Sequence, residues 1–201
     1  MKLGLITDVH EDVAHLRSAL ATFEREHVDQ IVMIGDVFHF GMDIEETCRL
    51  LAEANVVGVW GNHDYGLCFE PDEESCERWG PEIIGYMTSL KPRLDVAGCH
   101  FTHIEPWLDP SKLEDLWHFE GSPDEHGELA RIFDAVPNRL MFMGHYHRWV
   151  LARPGGIVDW HGESPICLDD DRYFLVVGAL CNGDYAILDT ETSELTPFHE
   201  E

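Results

Sequence analysis

The sequence predicts an α/β protein built on two packed β-sheets, and three observations carry that reading. Apolar runs alternate with helical patterns over the first 60 residues or so. Short strand-like segments then follow one another in the last third with no helix between them. Clusters of Asp, Asn and His stand where the early apolar runs end.

Lys2 to Thr7 is an apolar run that reads as a buried strand ending at Asp8. From Asp12 to Glu26, Val13, Leu16, Leu20 and Phe23 recur at helical spacing. Gln30 to Ile34 reads as a second strand, ending at Gly35-Asp36. Asp43 to Ala54 reads as a helix, with Asp43 and Glu46 spaced as in a capping box. Asn55 to Trp60 is a third strand, ending at Gly61-Asn62-His63-Asp64. Such alternation makes βαβ units and a largely parallel sheet. Ligands of these sheets gather beyond the carboxyl ends of the strands, which is where the clusters fall.

Residues 65–92 are less regular and acidic, with a helix expected from Glu82 to Leu90; they read as a cap or rim element within a single domain spanning 1–201. Arg93 to His103 reads as a hairpin turning at Ala97-Gly98. Ser111-Lys112-Leu113-Glu114 and Ser122-Pro123-Asp124-Glu125 read as helix starts with Ser at the cap. Leu140 to Met143 is a strand leading into Gly144-His145-Tyr146-His147. Short strands are expected at Trp149–Ala152, Tyr173–Val177, Asp184–Leu188 and Glu194–Pro197, forming a second sheet packed on the first. Tyr173–Val177 is nearly all apolar and is expected to be buried on both faces.

The composition narrows the partners. The 201 residues carry 39 acids against 13 bases, a net charge of −26. Such a surface repels nucleic acid and anionic membranes, which argues against a nuclease. No run of about 18 apolar residues is present to cross a membrane, and no signal peptide is read at the start. The six cysteines (48, 68, 76, 99, 167 and 181) form no CxxC pair. They read as small core residues of a chain in a reducing cytoplasm. The tryptophans likewise read as packing residues. Nothing in the sequence speaks to oligomeric state.

The clusters are oxygen and imidazole donors with no thiolate, a set that suits divalent manganese, iron, nickel or zinc. Asp8 and His10 are two apart, so an extended segment points both the same way. Asp36 can bridge two cations through its two oxygens, and Gly35, Gly61 and Gly144 allow sharp turns beside the donors. Two aspartates and two divalent ions leave a centre of about +2, a place for a phosphate on an acidic protein. Hydroxide activated between the ions would attack phosphorus. His63 would assist the leaving group, with Asp64 orienting its ring.

The ordered set Asp8-x-His10, Gly35-Asp36, Gly61-Asn62-His63-Asp64, His103 and Gly144-His145-x-His147 resembles the calcineurin-like metallophosphoesterase family. The resemblance runs from residue 5 to about 150. It implies a four-layer αββα sandwich, two packed mixed β-sheets flanked by helices. It also implies a ligand set: Asp8, His10, Asp36 and His147 for one metal, and Asp36, Asn62, His103 and His145 for the other. His63 would be the acid or a transition-state stabiliser. The implied activity is hydrolysis of a small phosphomonoester or phosphodiester, with manganese the favoured ion; a non-catalytic metal-binding scaffold is the alternative. Gly35-Asp36 is followed by Val37-Phe38-His39, not Asp-Arg-Gly, which argues against the protein-phosphatase and dinucleoside-tetraphosphatase branches. Arg148 and His39 are candidate substrate contacts.

Overall fold

The computed structural model describes residues 1–119, 121, 123 and 128–201. The expected alternation is present as β1 (Lys2–Ile6), α1 (Val13–Arg25), β2 (Gln30–Ile34), α2 (Ile44–Glu53) and β3 (Val57–Val59). These three strands are parallel neighbours. The two-residue period of β1 sends Leu3 and Leu5 to one face and Ile6 to the other, so each face is apolar. Asp12 caps α1 by accepting the His15 N–H at 3.0 Å.

The capping box expected at α2 is not formed. The Asp43 side chain makes no cap bond, its N–H donates to Glu11 Oε2 at 2.9 Å, and Glu46 pairs with Arg17 and Arg49. Within 65–92, α3 (Tyr65–Cys68) precedes α4 (Glu73–Met87), which begins well before Glu82. Asp72 caps it at the Ser75 N–H. Gly80, at φ 75° and ψ 171°, is not helical, so α4 is two helical stretches meeting at a break, and the second, which follows Gly80, corresponds to the helix expected from Glu82. α4 packs against α2.

β4 (Leu94–Val96) and β5 (Cys99–Phe101) form the expected hairpin. Ala97 and Gly98 have φ 50° and 79° in its turn. α5 (Leu113–Leu116) is a single turn whose cap position is Lys112; Ser111, expected there, donates to Asp109 Oδ1 at 2.7 Å. Of the second expected helix start, Ser122, Asp124 and Glu125 lie outside the described residues, as does His126. α6 (Glu128–Ala135) follows, then β6 (Leu140–Met143), β7 (Val150–Arg153), β8 (Gly156–Val158), β9 (Ile166–Cys167), β10 (Tyr173–Val176), a 3₁₀ turn at Leu180–Asn182, β11 (Asp184–Asp189) and β12 (Glu194–His199).

The strands form two six-stranded mixed sheets, ordered β3-β2-β1-β11-β12-β9 and β4-β5-β6-β10-β7-β8. The C-terminal strands are thus shared out and do not make the second sheet alone. β11 runs antiparallel to β1, Leu3 opposite Leu188, while β10 runs parallel to β6. Leu3, Leu5, Leu188, Phe142 and Leu175 meet in the core between the sheets. Leu16, Phe23 and Leu51 of α1 and α2 cover the outer face of the first sheet. Ile132 and Phe133 of α6 cover the outer face of the second, against Phe174 and Val176. The result is the four-layer αββα sandwich, with both faces of β10 buried as expected. Among the described residues no helix is long and apolar enough to cross a membrane. Cys48, Cys68 and Cys99 are core residues, whereas Cys76 and Cys167 are exposed and Cys181 is half-buried.

Candidate metal centre

The loops after β1, β2, β3 and β6 converge with the segment after β5. Asp8, His10 and Glu11 donate their N–H groups to the carbonyls of Gly35, Asp36 and Val37 at 2.9, 3.0 and 3.1 Å, so the first two loops run as a short ladder. The 3₁₀ turn closes the other side, with the Leu180 and Cys181 N–H groups on the Thr7 and Asp8 carbonyls. Asp8 and His10 are not extended, as the spacing suggested. Asp8, His10, Asp36, His145 and His147 all take positive φ, between 45° and 71°. Strained backbone held in place this way collects at functional sites.

The side chains form two groups around Asp36. In the first, His10 Nε2 lies 3.1 Å from His147 Nε2 and 3.7 Å from Asp36 Oδ2, and His147 Nε2 is 3.1 Å from Asp8 Oδ1. In the second, His103 Nε2 lies 3.4 Å from Asp36 Oδ2. His103 Nε2 and His145 Nδ1 are each 3.0 Å from Asn62 Oδ1. His103 Nδ1–H donates to the Ile34 carbonyl at 2.8 Å, which turns Nε2 toward two oxygens, where a metal could take the place of its proton. His145 Nε2 is buried without a hydrogen-bond partner. Imidazole nitrogens gathered on carboxylate and amide oxygens, one of them buried and unpartnered, are an arrangement a cation can fill. The donor set fits divalent ions.

The electrostatics agree. Burial disfavours charge on His103, yet Asp36 beside it raises its pKa to about 9. Contacts with Asp8 and Cys181 raise that of His147 to about 10. Burial raises the Asp36 carboxyl, but His103, His10 and His63 outweigh it and hold it well below the usual carboxylate range. Burial and the adjacent His103 lower His145 to about 4. The two carboxylates therefore draw positive charge to this spot.

Of the glycines expected to permit turns, Gly35 does so, at φ 93°. Gly61 and Gly144 are needed for space: a Cβ at Gly61 would overlap Asp36 Oδ1, and one at Gly144 would overlap Thr7 Oγ1. His63 donates its N–H to Asp36 Oδ1 at 3.0 Å, and its ring centroid is 4.9 Å from that of His10. Asp64 does not orient that ring. Its oxygens accept the N–H groups of Asp36, Val37, Phe38 and Gly61 at 2.7 to 2.9 Å, which ties two loops together. His39 stands 5.4 Å from the His10 ring at the mouth. Arg148 is exposed over the Tyr146 ring, 5.8 Å from its centroid.

The pattern of motifs did not single out Glu11, Trp117, Phe119 or Cys181. Glu11 is buried and accepts the N–H groups of His39, Gly41 and Asp43, fixing the loop beside the site. Trp117, expected to be a packing residue, is exposed and 5.3 Å from His63. Cys181 Sγ is 3.9 Å from His147 Nδ1.

A family model described as the calcineurin-like phosphoesterase superfamily domain matches residues 1–193. A metallophosphoesterase crystal structure from Sphaerobacter thermophilus aligns with a TM-score of 0.81 at 22% identity, over 100% of this chain and 88% of that one. The uncharacterized protein MJ0912 of Methanocaldococcus jannaschii is 23% identical over 190 residues, 87% of this chain and 73% of that protein. Phosphodiesterase MJ0936 of the same organism is 31% identical over 68 residues, 34% of this chain and 39% of that protein.

Proposed function

This chain belongs to the calcineurin-like phosphoesterase superfamily, and from that premise we propose that it hydrolyses small phosphate esters at a centre of two divalent ions. Asp8, His10, Asp36 and His147 would hold one ion; Asp36, Asn62, His103 and His145 would hold the other. When bound, the ions supply Lewis acidity toward the phosphoryl oxygens and acidify water. The observation that carries the reading is the position of Asp36, whose Oδ2 lies within 3.7 Å of His10 Nε2 and 3.4 Å of His103 Nε2.

The chain's own groups do the rest. His63 stands at the edge of the cluster as the group that would pass a proton to the leaving oxygen. Its backbone N–H on Asp36 Oδ1 fixes it relative to the shared carboxylate. Asp64 and Glu11 hold the loops through their backbone N–H groups, so the donors need little rearrangement on binding. The likeness to a protein named a phosphodiesterase favours diesters as the first substrates to try.

The test is release of an aryl alcohol from a phosphodiester with manganese present, repeated after chelation. Turnover that chelation abolishes and manganese restores is the expected result. Two equivalents of bound metal with no turnover on mono- or diesters would overturn it in favour of a scaffold.

A further inference from the structure

The strongly charged surface has one conspicuous apolar feature. Among the described residues, the exposed Phe and Trp side chains are Phe40 (72% exposed), Trp117 (55%) and Phe119 (59%). All three lie against a histidine of the candidate site. Phe40 is 3.8 Å from His39, Trp117 is 5.3 Å from His63, and Phe119 is 6.1 Å from His145, centroid to centroid. His39 and His63 are themselves 6.1 Å apart, so Phe40, His39, His63 and Trp117 form one line of rings across the mouth. Met42, 83% exposed, extends the apolar end of that line.

The rings are held in place from behind. Glu11 fixes the backbone of His39, Gly41 and Asp43. On the other side, Leu116 is fully buried next to Trp117, and the preceding segment is pinned by the Trp60 Nε1–H on the Pro110 carbonyl and the Tyr65 hydroxyl on the Ser111 carbonyl. Exposed rings on a fixed frame form a preformed stacking surface. A cleft of about 730 Å³ opens beside them, and its lining includes Glu11, Asp12, Asp43 and four histidines but no Lys or Arg. A second anionic group on the substrate would find no Lys or Arg to pair with in this cleft.

We propose that the Phe40–His39–His63–Trp117 line binds a flat, uncharged aromatic group on the leaving side of the phosphate. This deepens the phosphoesterase reading and rests on it: the rings flank His63, the residue assigned to the leaving oxygen. The preferred substrate is then a diester carrying a single negative charge and an aryl or nucleoside leaving group. Stacking on Trp117 and Phe40 supplies the selectivity.

Calorimetric titration tests this without needing turnover. The manganese-loaded protein is titrated with phenylphosphonate and with methylphosphonate. The phenyl compound is expected to bind at least about tenfold tighter, the range of one ring stacked on an aromatic side chain. Trp117→Ala should collapse that ratio toward one, and Trp117→Phe should restore most of it; Phe40→Ala should narrow it. Equal affinity for the two phosphonates overturns the proposal, as does a Trp117→Ala change that weakens both alike. If neither phosphonate binds the loaded protein, both this proposal and the phosphoesterase reading fail. Equal binding with intact diester turnover sinks the ring line alone. Diesters with phenyl or adenosyl leaving groups, each against dimethyl phosphate, then separate the two sources of the aromatic group.

Discussion

Around Asp36 the two sets of donor side chains occupy different surroundings. His103 is fully buried, with its Nδ1 spent on a backbone carbonyl and Asn62 packed beside it. Across the carboxylate, the His147 side chain is 39% exposed and borders the open cleft with His10 and Cys181. The closed half offers only the shared carboxylate, whereas the open half adds a second buried one, Asp8. The open half is where a ligand can arrive.

The comparison can be broken or sharpened by experiment. The largest effect is expected from Asp36→Asn, which damages both halves at once. Turnover should fall on the order of a thousandfold, the several kcal/mol a metal electrophile supplies, with far-ultraviolet circular dichroism unchanged. A variant with wild-type turnover would remove the shared carboxylate from the scheme.

The halves separate in the next pair. In the metal-free protein, His103→Ala leaves a cavity in a packed interior and should cost about 2–4 kcal/mol. His147→Ala, at the surface, should cost less than about 1 kcal/mol. Urea unfolding of both variants measures the difference, and equal losses would mean that the halves are alike.

The smallest effect is on pH. In the chelated protein His103 titrates near 9, above the ordinary value of about 6.5 for histidine. A raised folded pKa stabilises below the unfolded value and is lost as pH climbs through the folded one. The chelated protein should therefore melt a few degrees lower at pH 10 than at pH 6.5, at roughly 2–4 °C per kcal/mol for a chain this size. His103→Gln should shrink that drop. A drop of the same size in the variant would assign it to other groups.

Much of this architecture was legible in the sequence, because burial on one or two faces writes its period into the residues. β1, α1, β2, α2 and β3 were readable from that period, and the Ala97-Gly98 turn from its chemistry. The same period does not say which sheet a strand joins, so β11 and β12 could not be assigned beside β1. That Asp8, His10, Asp36, Asn62, His103, His145 and His147 would gather was readable from motif order. Asp64 was not, since a carboxylate next to a histidine looks like a partner for its ring when it in fact holds the N–H groups of Asp36, Val37, Phe38 and Gly61. Trp117 was misread because aromatic residues usually pack, and its exposure follows from where the short α5 turn points.

One consequence of the Glu11 and Asp64 anchoring reaches beyond rigidity. Runs of converging peptide N–H groups ordinarily trap free anions. Here the runs at Glu11 and Asp64 are already filled by carboxyl groups of the same chain. Chloride, sulfate and inorganic phosphate therefore find these two nests occupied.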